Sequence, residues 1–244
     1  MTADAWENHP VRFAAAALRG QTTCASLYAL APRRPPGLAG FFVKDCSVSE
    51  TVQLFVDYQN VHLTGHQQFG PQGAPAHLSL IHPGLFADVV DSKRALESRP
   101  GTISHVFVFR GLPSAEHEPD SNRRNQAQAA EWTRDARVVV QPRPLRYPPT
   151  WPGEKAREKG IDVLLATRFV RAAILHLADV LILASRDTDL EPAIELAASV
   201  PNAPVIEVCN WAGRGRLCRQ LRPQPWCTYL DGTDFLTCLD TRQY

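Results

Sequence analysis

The sequence predicts an α/β fold, a three-layer α/β/α sandwich built on a mostly parallel sheet of five or six strands. Three observations carry this expectation. Short apolar runs such as Val52-Gln-Leu-Phe-Val56 and Val180-Leu-Ile-Leu-Ala184 read as strands buried on both faces. Stretches of helical periodicity lie between these runs. The regular alternation of the two patterns is what crossover-connected parallel strands produce.

The first strand covers residues 52 to 56 and ends in Asp57. A polar segment follows through Gly65 to Pro75, and its Gly and Pro content predicts a loop. A helix is expected over 83 to 97, with Pro83 in its first turn and Leu85, Phe86, Val89 and Val90 on one face. Residues 104 to 109 read as the second strand, 122 to 134 as a polar helix and 137 to 140 as the third strand. Residues 142 to 153 are rich in proline and read as a loop. Helix resumes over 159 to 177, where Val163, Leu164, Phe169, Val170, Ile174 and Leu177 recur at helical spacing. The fourth strand spans 179 to 184, a helix 188 to 199 and the fifth strand 204 to 208. Trp226 and Tyr229 are expected to pack a final edge element. No internal repeat is visible.

A chain of 244 residues holds one sizeable α/β domain with an appendage. The domain is placed at 51 to 244. Residues 1 to 50 combine an alanine-rich stretch with Ala31-Pro-Arg-Arg-Pro-Pro-Gly37, which holds neither a helix nor a central strand. They read as a loosely ordered extension, and a second reading puts the natural start near Val48 or Val52. With 26 Lys+Arg against 25 Asp+Glu, the net charge of +1 gives no global attraction to nucleic acid, so any such contact needs a local basic patch. The six cysteines show no Cys-x-x-Cys or Cys/His zinc spacing. No secretory leader or membrane-length apolar run stands out, so a cytoplasmic protein with free thiols and no membrane partner is expected.

The chemistry sits at strand ends. Asp57 closes the first strand, and Ser185-Arg-Asp187-Thr-Asp189 follows the fourth. Ligands of open parallel sheets bind beyond the carboxyl ends of the strands, where strand order reverses. If the first and fourth strands are neighbours there, their carboxylates converge, and a divalent cation relieves their repulsion. Each residue also has a plain structural explanation. Asp187 or Thr188 caps the following helix, Asn60 makes a turn, and Asp162 complements a helix dipole.

Three segments in order resemble the NYN domain family, the LabA-like branch of the PIN-like nucleases: Phe55-Val-Asp57-Tyr-Gln-Asn60, Lys159-Gly-Ile-Asp162-Val and Leu183-Ala-Ser185-Arg-Asp187-Thr-Asp189-Leu-Glu-Pro192. The similarity covers residues 51 to 240. It implies a Rossmann-like sheet of order 3-2-1-4-5 and an acidic Mg²⁺ or Mn²⁺ site that cleaves RNA phosphodiesters. Asp57, Asp162, Asp187 and Asp189 match the family's acidic positions, and Asn60 and Ser185 its polar ones. Two positions depart from the pattern. Arg168 stands six residues after Asp162, where the family usually carries a further Asp, and Arg186 stands where it often has Gly. Arg168 motivates a second expectation, a degenerate member that binds RNA or a protein without cutting.

Arg110, Arg123, Arg124, Arg143, Arg146, Lys155, Arg157 and Lys159, with Tyr147 and Trp151 among them, suit single-stranded RNA, although charge runs are usually solvated faces. Lys159, Arg110, Arg168 and Ser185 are the expected substrate contacts. A homodimer is left open. His62-x-x-x-His66 has ligand spacing, but Thr64-Gly65 argues for a loop, so the pair is read as incidental. A third reading takes Asp187-x-Asp189 as the metal motif of a sugar-nucleotide transferase, for whose donor-binding domain the chain is too short.

Overall fold

Strand β1 (Thr51–Asp57) is apolar on both faces, and its alternation divides the core. Leu54 and Val56 enter one cluster of buried side chains, while Phe55 enters the other. The same split recurs in β4 (Val180–Ala184), where Ile182 lies on the first side and Leu181 and Leu183 on the second. Covering both faces makes these strands mainly apolar; the buried Gln53 of β1 donates its Nε2 to the Leu177 carbonyl at 3.1 Å.

The computed structural model describes residues 50–213 and 221–244, all within one unit, Ser47–Tyr244. The extension expected at 1 to 50 lies outside the described residues apart from Glu50, as do Cys24, Cys46 and Cys218. Six parallel strands are ordered β3-β2-β1-β4-β5-β6, with β2 at Thr102–Leu112, β3 at Val138–Pro144, β5 at Val205–Trp211 and β6 at Trp226–Leu230. Helices α1 (Tyr58–Phe69), α2 (Pro83–Leu96) and α3 (Pro119–Trp132) supply Val61, Phe86 and Trp132 to one face of the sheet, with Phe235 from α6 (Gly232–Thr237). Helices α4 (Ile161–Ile174) and α5 (Glu191–Ser199) supply Phe169 and Ile194 to the other. The fold is therefore the expected Rossmann-like α/β/α sandwich. No helix among the described residues is long and apolar enough to cross a membrane.

Two expectations are corrected. The segment after Asp57, expected as a loop, is helix α1 through Phe69, with Gly65 inside it. A Cβ on Gly65 would lie 2.9 Å from Cε2 of Trp211, so glycine here makes room for an indole rather than a turn. Residues 142 to 144, expected in a loop, extend β3 through two prolines. This is an edge strand, where a missing N–H costs no inter-strand bond on the open side.

Candidate functional site

At the β1/β4 boundary the chain leaves for opposite edges of the sheet, and the acidic residues gather beyond it. Asp57 ends β1 and caps α1, its Oδ1 accepting from the Asn60 backbone N–H at 3.2 Å. Its Oδ2 accepts from the Ser185 hydroxyl at 2.9 Å. The Ser185 oxygen accepts in turn from the Asp187 N–H at 3.0 Å, and Asn60 Oδ1 accepts from the Arg186 N–H at 2.9 Å. The loop after β4 is thus stitched to the start of α1.

Asp57 is 5% exposed. Burial pushes its carboxyl up to about 6, against the Ser185 and Asn60 hydrogen bonds that lower it, and the charges of Asp162 and Glu158 raise it further. Asp162, in the first turn of α4, is raised by partial burial and then by Asp187 and Asp189. Glu158 is raised by burial and by Asp162, while the Gly111 N–H, at 2.8 Å from its Oε1, and Arg110 lower it. These five carboxylates form one electrostatically coupled group. Asp187 also caps the turn at Thr188–Leu190, accepting from the Asp189 N–H at 2.9 Å. The capping that explains Asp57 and Asp187 structurally is also what orients them.

Among the described residues, no group of three or more His, Cys, Asp or Glu side chains is placed to hold a metal ion. The donor chemistry nevertheless suits a hard cation, because its candidate ligands are carboxylate oxygens that disfavour one another's charge. Mg²⁺ commonly takes one or two protein carboxylates and completes its shell with water and phosphate, which needs no three-acid cage.

The other expected residues fall as follows. Asn60 spends its carbonyl oxygen on the Arg186 N–H, so it positions the β4 loop. Lys159 is exposed, and its carbonyl accepts from Arg143 Nε at 2.9 Å. Gly160 adopts φ 76°, the left-handed region that favours glycine, immediately before α4. Arg168 is exposed on α4 and is not among the charges that shift Asp162. Arg110 is 8% exposed, its guanidinium 4.9 Å from the ring centroids of both Tyr58 and Trp132. Arg157 pairs with Glu154 at 2.5 Å and Arg123 with Asp120, which neutralises part of the basic set. Tyr147 stacks on His117 at 4.3 Å and donates its hydroxyl to Glu118 at 2.6 Å. His62 and His66 lie on α1, where their rings meet the Ala76 and Ala74 carbonyls and the Ser79 hydroxyl, holding down the segment after the helix.

Glu158 escaped the sequence reading. It stands directly before Lys159-Gly160, but its approach to Asp57 depends on the Gly111 N–H of β2, which nothing local announces. A groove of about 360 Å³ also went unforeseen, lined by Gln59, Arg110, Arg124, Asn125, Leu145 and Glu158 among others.

The chain matches no protein-family model and no curated protein. Among solved structures it is similar to a protein of unknown function from Vibrio parahaemolyticus, with 16% identity and a TM-score of 0.40 over 79% of this chain and 90% of that one.

Proposed function

We propose that this chain is a metal-dependent ribonuclease of the NYN type that hydrolyses single-stranded RNA with Mg²⁺ or Mn²⁺. One observation carries the reading: a nearly buried aspartate with its carboxyl raised to about 6 stands at the switch point of a parallel sheet, coupled to further acids from α4 and the β4 loop. Asp57, Asp162, Asp187 and Asp189 would hold the ion. When bound, such an ion supplies a water of lowered pKa and offsets charge on the transferring phosphoryl group.

The remaining roles belong to the chain. Ser185 and Asn60 keep Asp57 and the β4 loop in register through their hydrogen bonds. Lys159, exposed beside Asp162, would meet the phosphate backbone, and Glu158 adds a fifth carboxylate to the rim. The test is incubation of the purified chain with labelled single-stranded RNA and Mn²⁺. Cleavage abolished by Asp57→Asn supports the reading. Cleavage indifferent to that substitution, or none at all, overturns it.

A second reading, an RNA-binding member that does not cut, is favoured by the absence among described residues of a ready three-ligand group and by Arg168 in place of an acid. RNA retention without Mn²⁺-dependent turnover would select it.

A further inference from the structure

We propose that the groove beside the acids is a nucleotide subsite in which the Arg110 guanidinium receives a phosphate group of the RNA. This deepens the ribonuclease reading and rests on it for the identity of the polymer.

Arg110 projects from the end of β2 over the Tyr58 and Trp132 rings, which pack against each other with centroids 4.9 Å apart. Those contacts stabilise one face of the cation and take up none of its N–H donors. Nη1 donates to Gln128 Oε1 at 3.0 Å, and among the described residues this is the hydrogen bond the guanidinium makes. No carboxylate among the described residues lies within ion-pair distance of it, whereas the other buried arginine among them, Arg94, is paired with Glu207 at 2.8 Å. Glu158 acts on the Arg110 cation from beyond ion-pair distance, so a nearly buried guanidinium keeps unused donors that an anionic partner would satisfy. Arg110 lines the groove and keeps 8% of its surface exposed, and Nε and Nη2 make no hydrogen bond among the described residues.

The planar fork of arginine donates two parallel N–H groups and matches a phosphate bidentately. Gln128 and the two rings hold that fork in place before any ligand arrives. Arg124, exposed at the lip of the groove, adds a second cation, while Ser121, Asn125 and Gln59 add neutral hydrogen-bonding groups. Glu158 lines the same groove together with Tyr58 and Gln59, which directly follow Asp57, so the groove lies beside the acids. A polymer with one phosphate at the acids would pass a neighbouring unit into this groove.

The test uses the full chain in EDTA, with a short fluorescein-labelled single-stranded RNA followed by anisotropy. Arg110→Met keeps a long side chain against the two rings and removes the donors; Arg124→Ala changes an exposed residue and leaves folding untouched. Each should weaken binding by about tenfold or more, as loss of a charge-assisted contact does. The slope of log affinity against log salt should flatten by about 0.7 for each lost phosphate contact. Inorganic phosphate should compete with RNA on the wild type and not on Arg110→Met. Undiminished affinity and salt slope in folded Arg110→Met overturns the proposal. If Arg110→Met does not fold, unchanged binding by Arg124→Ala overturns it, and so does a wild type that binds no RNA. Cleavage in Mn²⁺, measured in parallel, separates the two readings. Cutting with undiminished binding in Arg110→Met removes the subsite alone, and Arg110-dependent binding without cutting removes the nuclease alone.

Discussion

The Ser185 hydroxyl reaches the Asp57 carboxylate at 2.9 Å, joining residues 128 apart in the chain across the ends of two adjacent strands. The hydroxyl donates to the acid and accepts from the Asp187 N–H, so one oxygen sets the position of two acids.

Ser185→Ala removes the strongest influence holding the Asp57 carboxyl down and should move it above about 6. Stability at neutral pH should fall by about 1 kcal/mol, the scale of one buried hydrogen bond. The acid limb of the pH–rate profile for RNA cleavage should shift to higher pH; an unshifted limb would show that Asp57 is not the group titrating.

Asp57→Asn should stabilise the metal-free protein at neutral pH. The folded-state value of about 6 lies above the ordinary 3.8, so the native state binds this proton more tightly than the unfolded chain does. The stability linked to this group is full below the ordinary value and is lost as pH rises through about 6. Asparagine escapes that loss, giving an advantage of about 1–3 kcal/mol at neutral pH that disappears in mild acid. Denaturant melts in EDTA at both pH values check it.

Mn²⁺ should raise the melting temperature of the wild type and leave Asp57→Asn unmoved. A ligand at about a hundred times its Kd stabilises by ~2.7 kcal/mol, equivalent to roughly 5–10 °C in a domain of this size. Equal shifts in both proteins would place the binding elsewhere.

Gly65→Ala should destabilise the fold by about 1–3 kcal/mol, although alanine is the better helix former. The new Cβ would meet Trp211, whose indole N–H is already committed to the Val61 carbonyl at 2.8 Å. Chemical denaturation reads the difference; a neutral or stabilising result would mean that the indole shifts freely.

Much of the architecture was written in local pattern. The apolar runs of β1 and β4 and the helix opened by Pro83 each announce themselves within a few residues, because period and backbone preference are local properties. So were the positions of Asp57, Asp162, Asp187 and Asp189. Other features depended on partners distant along the chain. Gly65 reads as a helix position only once Trp211, at the end of β5, occupies the space of its missing side chain. Arg110 reads as a solvated cation until Tyr58 and Trp132 pack beneath it, and Glu158 as a surface acid until the Gly111 N–H binds it. Strand order and register bring such residues together, and these follow from burying both faces of one sheet at once, which no short window of residues encodes.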